Sequence, residues 1–227
     1  MVSLVHLPPL QEKLYREIQR ALLDLEIRPG ERIKIEELAQ KLGVSRTPVR
    51  EVFQRLKSEG LVRLVPRVGP IASEMSEKEV HDLFAVRMSL ESLAVKQAME
   101  KTNDRSLKRL QHILDLTKKE VASGDARKVR ALNVKFHKSL YERCGNPVLI
   151  GYLDDIFVKL QRYLNLLPEE DAIRLSATRH HEHIVMCLQM KDERRIQEAV
   201  MEHLEFSETH LMELLKNKYS DWLKSAN

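Results

Sequence analysis

Arg46, Thr47 and Arg50 open a stretch of helical spacing that runs to Gly60, and their side chains suit the reading of nucleic acid. An arginine fork donates two parallel hydrogen bonds, which matches guanine edges and phosphate alike. A second group lies further along the chain: Asn133, His137, His183 and His203. Imidazole nitrogens favour zinc, nickel, manganese or iron, and three of them leave coordination positions open for water or a small ligand. Each histidine taken singly is more often a satisfied core residue than a ligand, so spacing alone does not establish a metal site.

The first group depends on two helices and a turn. In Ile35–Gly60, Leu38, Leu42 and Val44 recur on one side of a first helix, and Gly43 suits its end. Ser45 or Thr47 can cap the next helix, with Pro48 tolerated in its first turn. Along that helix Val49, Val52, Phe53 and Leu56 fall on one face, and Arg46, Arg50, Gln54 and Lys57 on the other. This is the layout of a helix-turn-helix, whose second helix meets bases through its N-terminal residues. A plain helical hairpin with a solvated basic face has the same geometry. The following residues favour DNA. Leu61–Val65 and Ile71-Ala72 read as short strands around a turn with Arg67 and Gly69, the wing of a winged helix.

Charge and proline divide the chain in two. Residues 1–73 hold 13 Lys/Arg against 9 Asp/Glu, whereas residues 74–227 hold 25 of each. All the net positive charge therefore lies in the part expected to meet phosphate. Six of the eight prolines lie at or before Pro70. The expected domains are 1–73, a DNA-binding winged helix, and 74–227, an all-α bundle. Ser76 with Glu79 forms a capping box that opens the bundle. Further helices are expected over about 104–123, 126–143, 147–166, 172–190 and 193–224, with breaks at Asn103, Gly124, Gly145-Asn-Pro147, Pro168 and Lys191-Asp192. The fold class is mainly α: a winged helix-turn-helix with a small β-hairpin, then a six-helix bundle.

In that bundle Asn133 and His137 share a face with Phe136, Leu140 and Cys144. His183 lies near Ile184, Cys187 and Met190, and His203 shares a stripe with Ile196, Ala199, Val200 and Ser207. His181 reads as a surface residue, and His180 and His210 as solvated or as lining the edge of the site. Cys144 and Cys187 form no CxxC pair and point to a reducing cytoplasm. No run reaches the roughly 18 apolar residues of a membrane span, so a soluble protein is expected.

Several short motifs resemble known families. Arg28-Pro-Gly-Glu-Arg-Ile, Glu37-Leu-Ala, Leu42-Gly-Val-Ser-Arg-Thr-Pro-Val-Arg-Glu51 and Glu59-Gly-Leu-Val62 look like the DNA-binding domain of GntR-family bacterial regulators, over roughly residues 10–73. By that resemblance Ser45, Arg46, Thr47, Arg50 and Gly69 hold DNA-contacting positions, with Arg67 at the wing tip. Glu36 departs from members that carry arginine there; either the contact is absent or Lys34 supplies it. Met75-Ser-Glu-Lys, Arg87-Met-Ser-Leu-Glu91, Asn133-x-x-Phe-His137, Glu182-His183 and Met201-Glu-His203 resemble the FCD ligand-binding domain of the FadR branch, over about residues 76–222.

The second resemblance implies one divalent transition metal per chain (zinc, nickel or manganese) on Asn133, His137, His183 and His203. It also implies a small carboxylate effector, with Arg87 as its donor and Arg162 and Tyr163 as additions. A pair with Glu91, four residues on, is the equal alternative for Arg87. The implied function is a cytoplasmic homodimeric regulator, a repressor by preference, on a near-palindromic double-stranded operator. Two other classes compete with this reading. A metal-dependent enzyme would want an HExxH or a glycine-rich nucleotide loop, and the chain has neither among its seven glycines. A ligand-independent DNA-binding protein would show no small-molecule effect on DNA affinity.

Overall fold

The computed structural model describes residues 9–167 and 170–223. The chain divides into two compact units, Glu77–Ser220 and a second made of Met1–Ser76 with Asp221–Asn227. No helix among the described residues is long and apolar enough to cross a membrane.

In the N-terminal unit α1 spans Pro9–Leu23, α2 Ile35–Leu42 and α3 Arg46–Ser58. Leu14, Ile18 and Leu22 of α1 and Val49, Val52, Phe53 and Leu56 of α3 are buried, each set at helical spacing. Gly43 ends α2 at φ 66, the left-handed geometry that turns the chain toward α3 without a Cβ clash. Strands β1 (Val62–Val65) and β2 (Gly69–Ala72) pair antiparallel, with Val62 opposite Ala72 and Val65 opposite Gly69. Arg67, at φ 64, sits in the three-residue turn between them.

The C-terminal unit holds α4 (Glu77–Glu100), α5 (Asp104–Ser123), α6 (Ala126–Tyr141), α7 (Pro147–Leu164), α8 (Asp171–Met190) and α9 (Glu193–Lys218). Their limits follow local signals. Asn103, Asp125, Asn146 and Asp192 cap α5, α6, α7 and α9 by accepting from backbone N–H groups. One core joins Leu110 and Ile113 of α5, Phe136 and Leu140 of α6, Ile184 and Leu188 of α8, and Ile196 and Leu204 of α9. Helix α6 stops two residues before the expected Arg143, giving way to a 3₁₀ turn over Glu142–Cys144. The expected break at Pro168 lies outside the described residues.

The last helix is shorter than the spacing predicts. Helix α9 ends at Lys218 rather than running to 224, and Tyr219 leaves helical geometry at φ −135. Leu223 then forms a parallel bridge with Met75, and the chain's one tryptophan, Trp222, is buried. The N-terminal unit runs to Ser76, and the described residues from 221 onward join it.

Candidate DNA interface and metal centre

Amphipathic packing of α3 decides which side chains can meet DNA. Burying Val49, Val52, Phe53 and Leu56 turns Arg46, Thr47, Arg50, Gln54 and Lys57 outward, and all five are exposed, as is Ser45. Ser45 stands at the N-cap in extended geometry, but its hydroxyl makes no cap hydrogen bond. The first turn of α3 thus keeps backbone N–H groups available for an anion. Arg50 and Gln54 of α3, Arg67 and Gly69 of the wing, and Arg32 and Lys34 before α2 line one groove of the unit. Glu36 lies there too, and its carboxylate faces Arg46 at 3.4 Å. Lys34, in the same groove, pairs with Glu37 at 2.6 Å, and both side chains are exposed.

In the other unit, three helices converge on three imidazoles. His137 from α6, His181 from α8 and His203 from α9 are all buried. The Nε2 of His203 lies 3.2 Å from the Nε2 of His181 and 3.2 Å from the Nε2 of His137. Burial is the largest cause holding each ring below the ordinary histidine pKa, and most strongly for His181 and His203. All three are therefore neutral at pH 7, the state a metal ligand requires. They lie along a cavity of about 40 Å³, room for a few water molecules, that Arg87, Asn133, Arg174, Thr178 and Ser207 also line.

The donor set fits a metal. One imidazole Nε2 offers a single in-plane site, a proton or a lone pair, so that of His203 cannot satisfy both neighbours by hydrogen bonding. Its Nδ1 is buried with no hydrogen-bond partner among the described residues. Nitrogens that share an ion at about 2.1 Å lie roughly 3.0–3.4 Å apart, the spacing seen between these rings. His137, His181 and His203 form a group whose ligand atoms all lie within 4.8 Å of one another.

The structure replaces one of the expected ligands. His183 is exposed, with Nδ1 3.9 Å from Glu202, and shares its outward face with Arg179, Met186 and Met190. His181 is not a surface residue. It stands three, four and seven residues before buried Ile184, Val185 and Leu188, and its ring stacks on Phe136 at 4.1 Å. The two positions differ by about 200° around the helix. Asn133 lines the cavity one turn before His137. His180 packs against Phe206 at 4.9 Å, and His210 donates from Nδ1 to the Phe206 carbonyl at 2.8 Å, so neither ring joins the cluster.

The expected anion donors also rearrange. Arg87 donates from Nε to Glu91 at 2.9 Å, the expected pair, and still lines the cavity. Arg162 and Tyr163 are buried on α7, the guanidinium 5.1 Å from the tyrosine ring, and do not line the cavity. Arg174 of α8, which the pattern did not single out, does. Its signal was faint: a basic residue seven positions before His181 on the same helical face.

A winged helix-turn-helix joined to a helical unit with a histidine-lined cavity is the architecture of a DNA-binding regulator with a second, all-helical domain. Residues 10–70 match the model of the bacterial regulatory proteins of the gntR family, and residues 82–206 match that of the FCD domain. The chain belongs to the GntR family of transcription regulators, in its FCD-bearing form, and is not an enzyme. It is 27% identical over 211 residues to the HTH-type transcriptional regulator YdhC of Bacillus subtilis (strain 168), covering 92% of this chain and 93% of that one. The HTH-type transcriptional repressor RspR of Escherichia coli (strain K12) is 22% identical over 215 residues, covering 94% and 93%. The solved structure of E. coli McbR/YncC superposes with a TM-score of 0.80 at 23% identity, over 91% of this chain and 99% of that one.

Proposed function

We propose that the chain is a cytoplasmic repressor that binds a near-palindromic operator as a homodimer and is controlled by a small carboxylate at a metal in its C-terminal unit. One observation carries this reading: three neutral imidazoles converge through Nε2 in a cavity that also presents guanidinium groups. Zinc, nickel or manganese would be held by His137, His181 and His203 with Asn133 beside them, and as a Lewis acid would anchor a carboxylate oxygen. An uncharged Asn133 in place of a carboxylate leaves more of the metal's charge for an anionic ligand. Arg87 and Arg174 both stand at the cavity wall, and the charge of Arg87 is partly met by Glu91.

Two recognition helices spaced for two half-sites require two chains. Exposed Val86 and Leu93 of α4, seven residues apart, and Val148 and Tyr152 of α7, four apart, supply apolar surface for that pairing. Effector control follows if the ligand binds one placement of the paired winged helices more tightly than the other. Repression is the arrangement named for the relative RspR.

The test is operator binding by metal-loaded and chelator-stripped protein, titrated with small mono- and dicarboxylates. A carboxylate that changes operator affinity only in the metal-loaded form supports the reading. Equal affinity with and without metal, and with every acid, overturns it.

A further inference from the structure

The buried Glu91 sits between the two chemistries of the cavity. It is fully buried on α4, one turn after Arg87 on the inward stripe Val80, Phe84, Arg87, Glu91, Ala94 and Ala98. One carboxylate oxygen accepts from Arg87 Nε at 2.9 Å, and the other lies 2.6 Å from Nδ1 of His137. Arg87 is itself held in place, its guanidinium 4.6 Å from the face of Phe157. Arg87 is a permanent cation buried against this carboxyl, so the pair is an ionised one and both carboxylate oxygens act as acceptors.

That fixes the proton on His137. Two acceptors cannot approach to 2.6 Å without a hydrogen between them, so Nδ1 carries it and donates to Glu91. The 3.3 Å approach of Arg87 Nη2 to the same nitrogen is then a contact between donors rather than a hydrogen bond. With Nδ1 protonated, the lone pair of His137 resides on Nε2, the atom that faces His203 at 3.2 Å.

We infer that Glu91 is the positioning residue of this centre, fixing the His137 tautomer so that Nε2 is presented as a ligand while its second oxygen orients Arg87. The inference rests on the metal reading above for its consequence, but not for its tautomer. A carboxylate behind a ligating imidazole raises its basicity and typically accounts for 10–100-fold in metal affinity.

Glu91→Gln leaves Arg87 buried without its counter-ion and can fail to fold for that reason alone. The paired variant Arg87→Met with Glu91→Gln removes both charges together and separates positioning from charge balance. Two readouts apply to each variant. In metal-free protein, long-range ¹H–¹⁵N spectra report the His137 tautomer: Nδ1–H is expected in the wild type, and a mixture in the variants. In zinc-loaded protein, competition with a chromogenic chelator is expected to give about 10–100-fold weaker binding for both variants. A wild-type His137 protonated on Nε2, or a double variant that binds zinc as tightly as wild type, overturns the inference. Wild-type protein with the expected tautomer but no affinity for zinc, nickel or manganese refutes the metal reading and leaves the tautomer assignment standing.

Discussion

Glu36 at the start of α2 places a carboxylate oxygen 3.4 Å from Nη1 of Arg46, the first residue of α3, and both side chains are more than half exposed. The recognition helix thus meets DNA with its leading arginine already paired. A phosphate or guanine must displace Glu36, and the carboxylate then remains near the backbone as a repulsive charge. Exposed pairs of this kind are worth about 0.2–1 kcal/mol, so Glu36→Gln is expected to tighten DNA binding up to several-fold. The gain should be largest on non-operator DNA, where phosphate contacts supply the affinity. Fluorescence anisotropy on operator and random duplexes at two salt concentrations reads both effects. Unchanged affinity on both would mean that the pair separates without cost.

Arg50 is exposed on α3, one turn after Arg46, and lines the groove that also holds Arg67 and Gly69. Its side chain is not part of the buried core. Arg50→Ala is expected to cost about 1–3 kcal/mol against the operator, with thermal stability and oligomeric state unchanged. Full operator affinity in the variant would remove Arg50 from the recognition surface.

Three histidines lie within four residues on α8, and the structure turns only His181 into the cavity. His181→Ala should therefore abolish stoichiometric metal, whereas His183→Ala should leave it intact. Elemental analysis of the two purified variants separates them directly. Metal lost from His183→Ala and retained in His181→Ala would reverse the assignment.

This histidine choice marks where the sequence was legible and where it was not. The helix-turn-helix, the wing and the helix ends at Asn103, Gly124, Asn146-Pro147 and Asp192 follow from local rules of capping, proline and apolar spacing, and they appear where those rules place them, except that β2 already begins at Gly69, inside the expected turn. Whether His181 or His183 points inward depends on the phase of α8, where one residue is about 100°. Buried Cys187 sits four residues after His183 and lent that position an apolar partner, although Met186 and Met190 on the same side are exposed. Ile184 three residues after His181, with Leu188 a turn further, carried the correct phase. The return of Trp222 and Leu223 to the N-terminal unit had no local signal, since a three-residue segment has no periodicity to read.

The cluster also predicts a pH dependence. His137, His181 and His203 are held below the ordinary value of 6.5, chiefly by burial. Below 6.5 the unfolded chain takes up protons that the folded chain refuses, so stability falls as pH drops through that window. The slope is at most about 1.4 kcal/mol per pH unit for each histidine. Glu91 acts lower: its ordinary value is 4.5 and its folded value about 2, so its contribution persists above 4.5 and is lost only between those limits. Urea unfolding of metal-free protein should show a falling midpoint between about pH 7 and pH 5, with a further loss below 4.5. A flat profile through 6.5 would mean that the rings are hydrated or already charged in the folded state.

The C-terminal residues offer a last separation of the two units. Helix α9 carries His203 in the C-terminal helical unit and ends at Lys218, roughly four turns further on. Trp222 and Leu223 belong to the other unit, where Leu223 pairs with Met75 and Trp222 is buried. Truncation after Tyr219 therefore removes packing from the DNA-binding unit while leaving every cavity-lining residue in place. Loss of a buried tryptophan typically costs about 3–5 kcal/mol, a large share of what a unit of this size can have. The truncated protein should keep full metal content, but its DNA-binding unit should melt at a lower temperature and its operator affinity should fall. Calorimetry with and without operator DNA resolves the two units, and metal analysis on the same sample tests the independence of the cavity. An unshifted melting profile would show that the tail contributes nothing to the winged helix, and lost metal would show that α9 needs its tail to hold His203 in register.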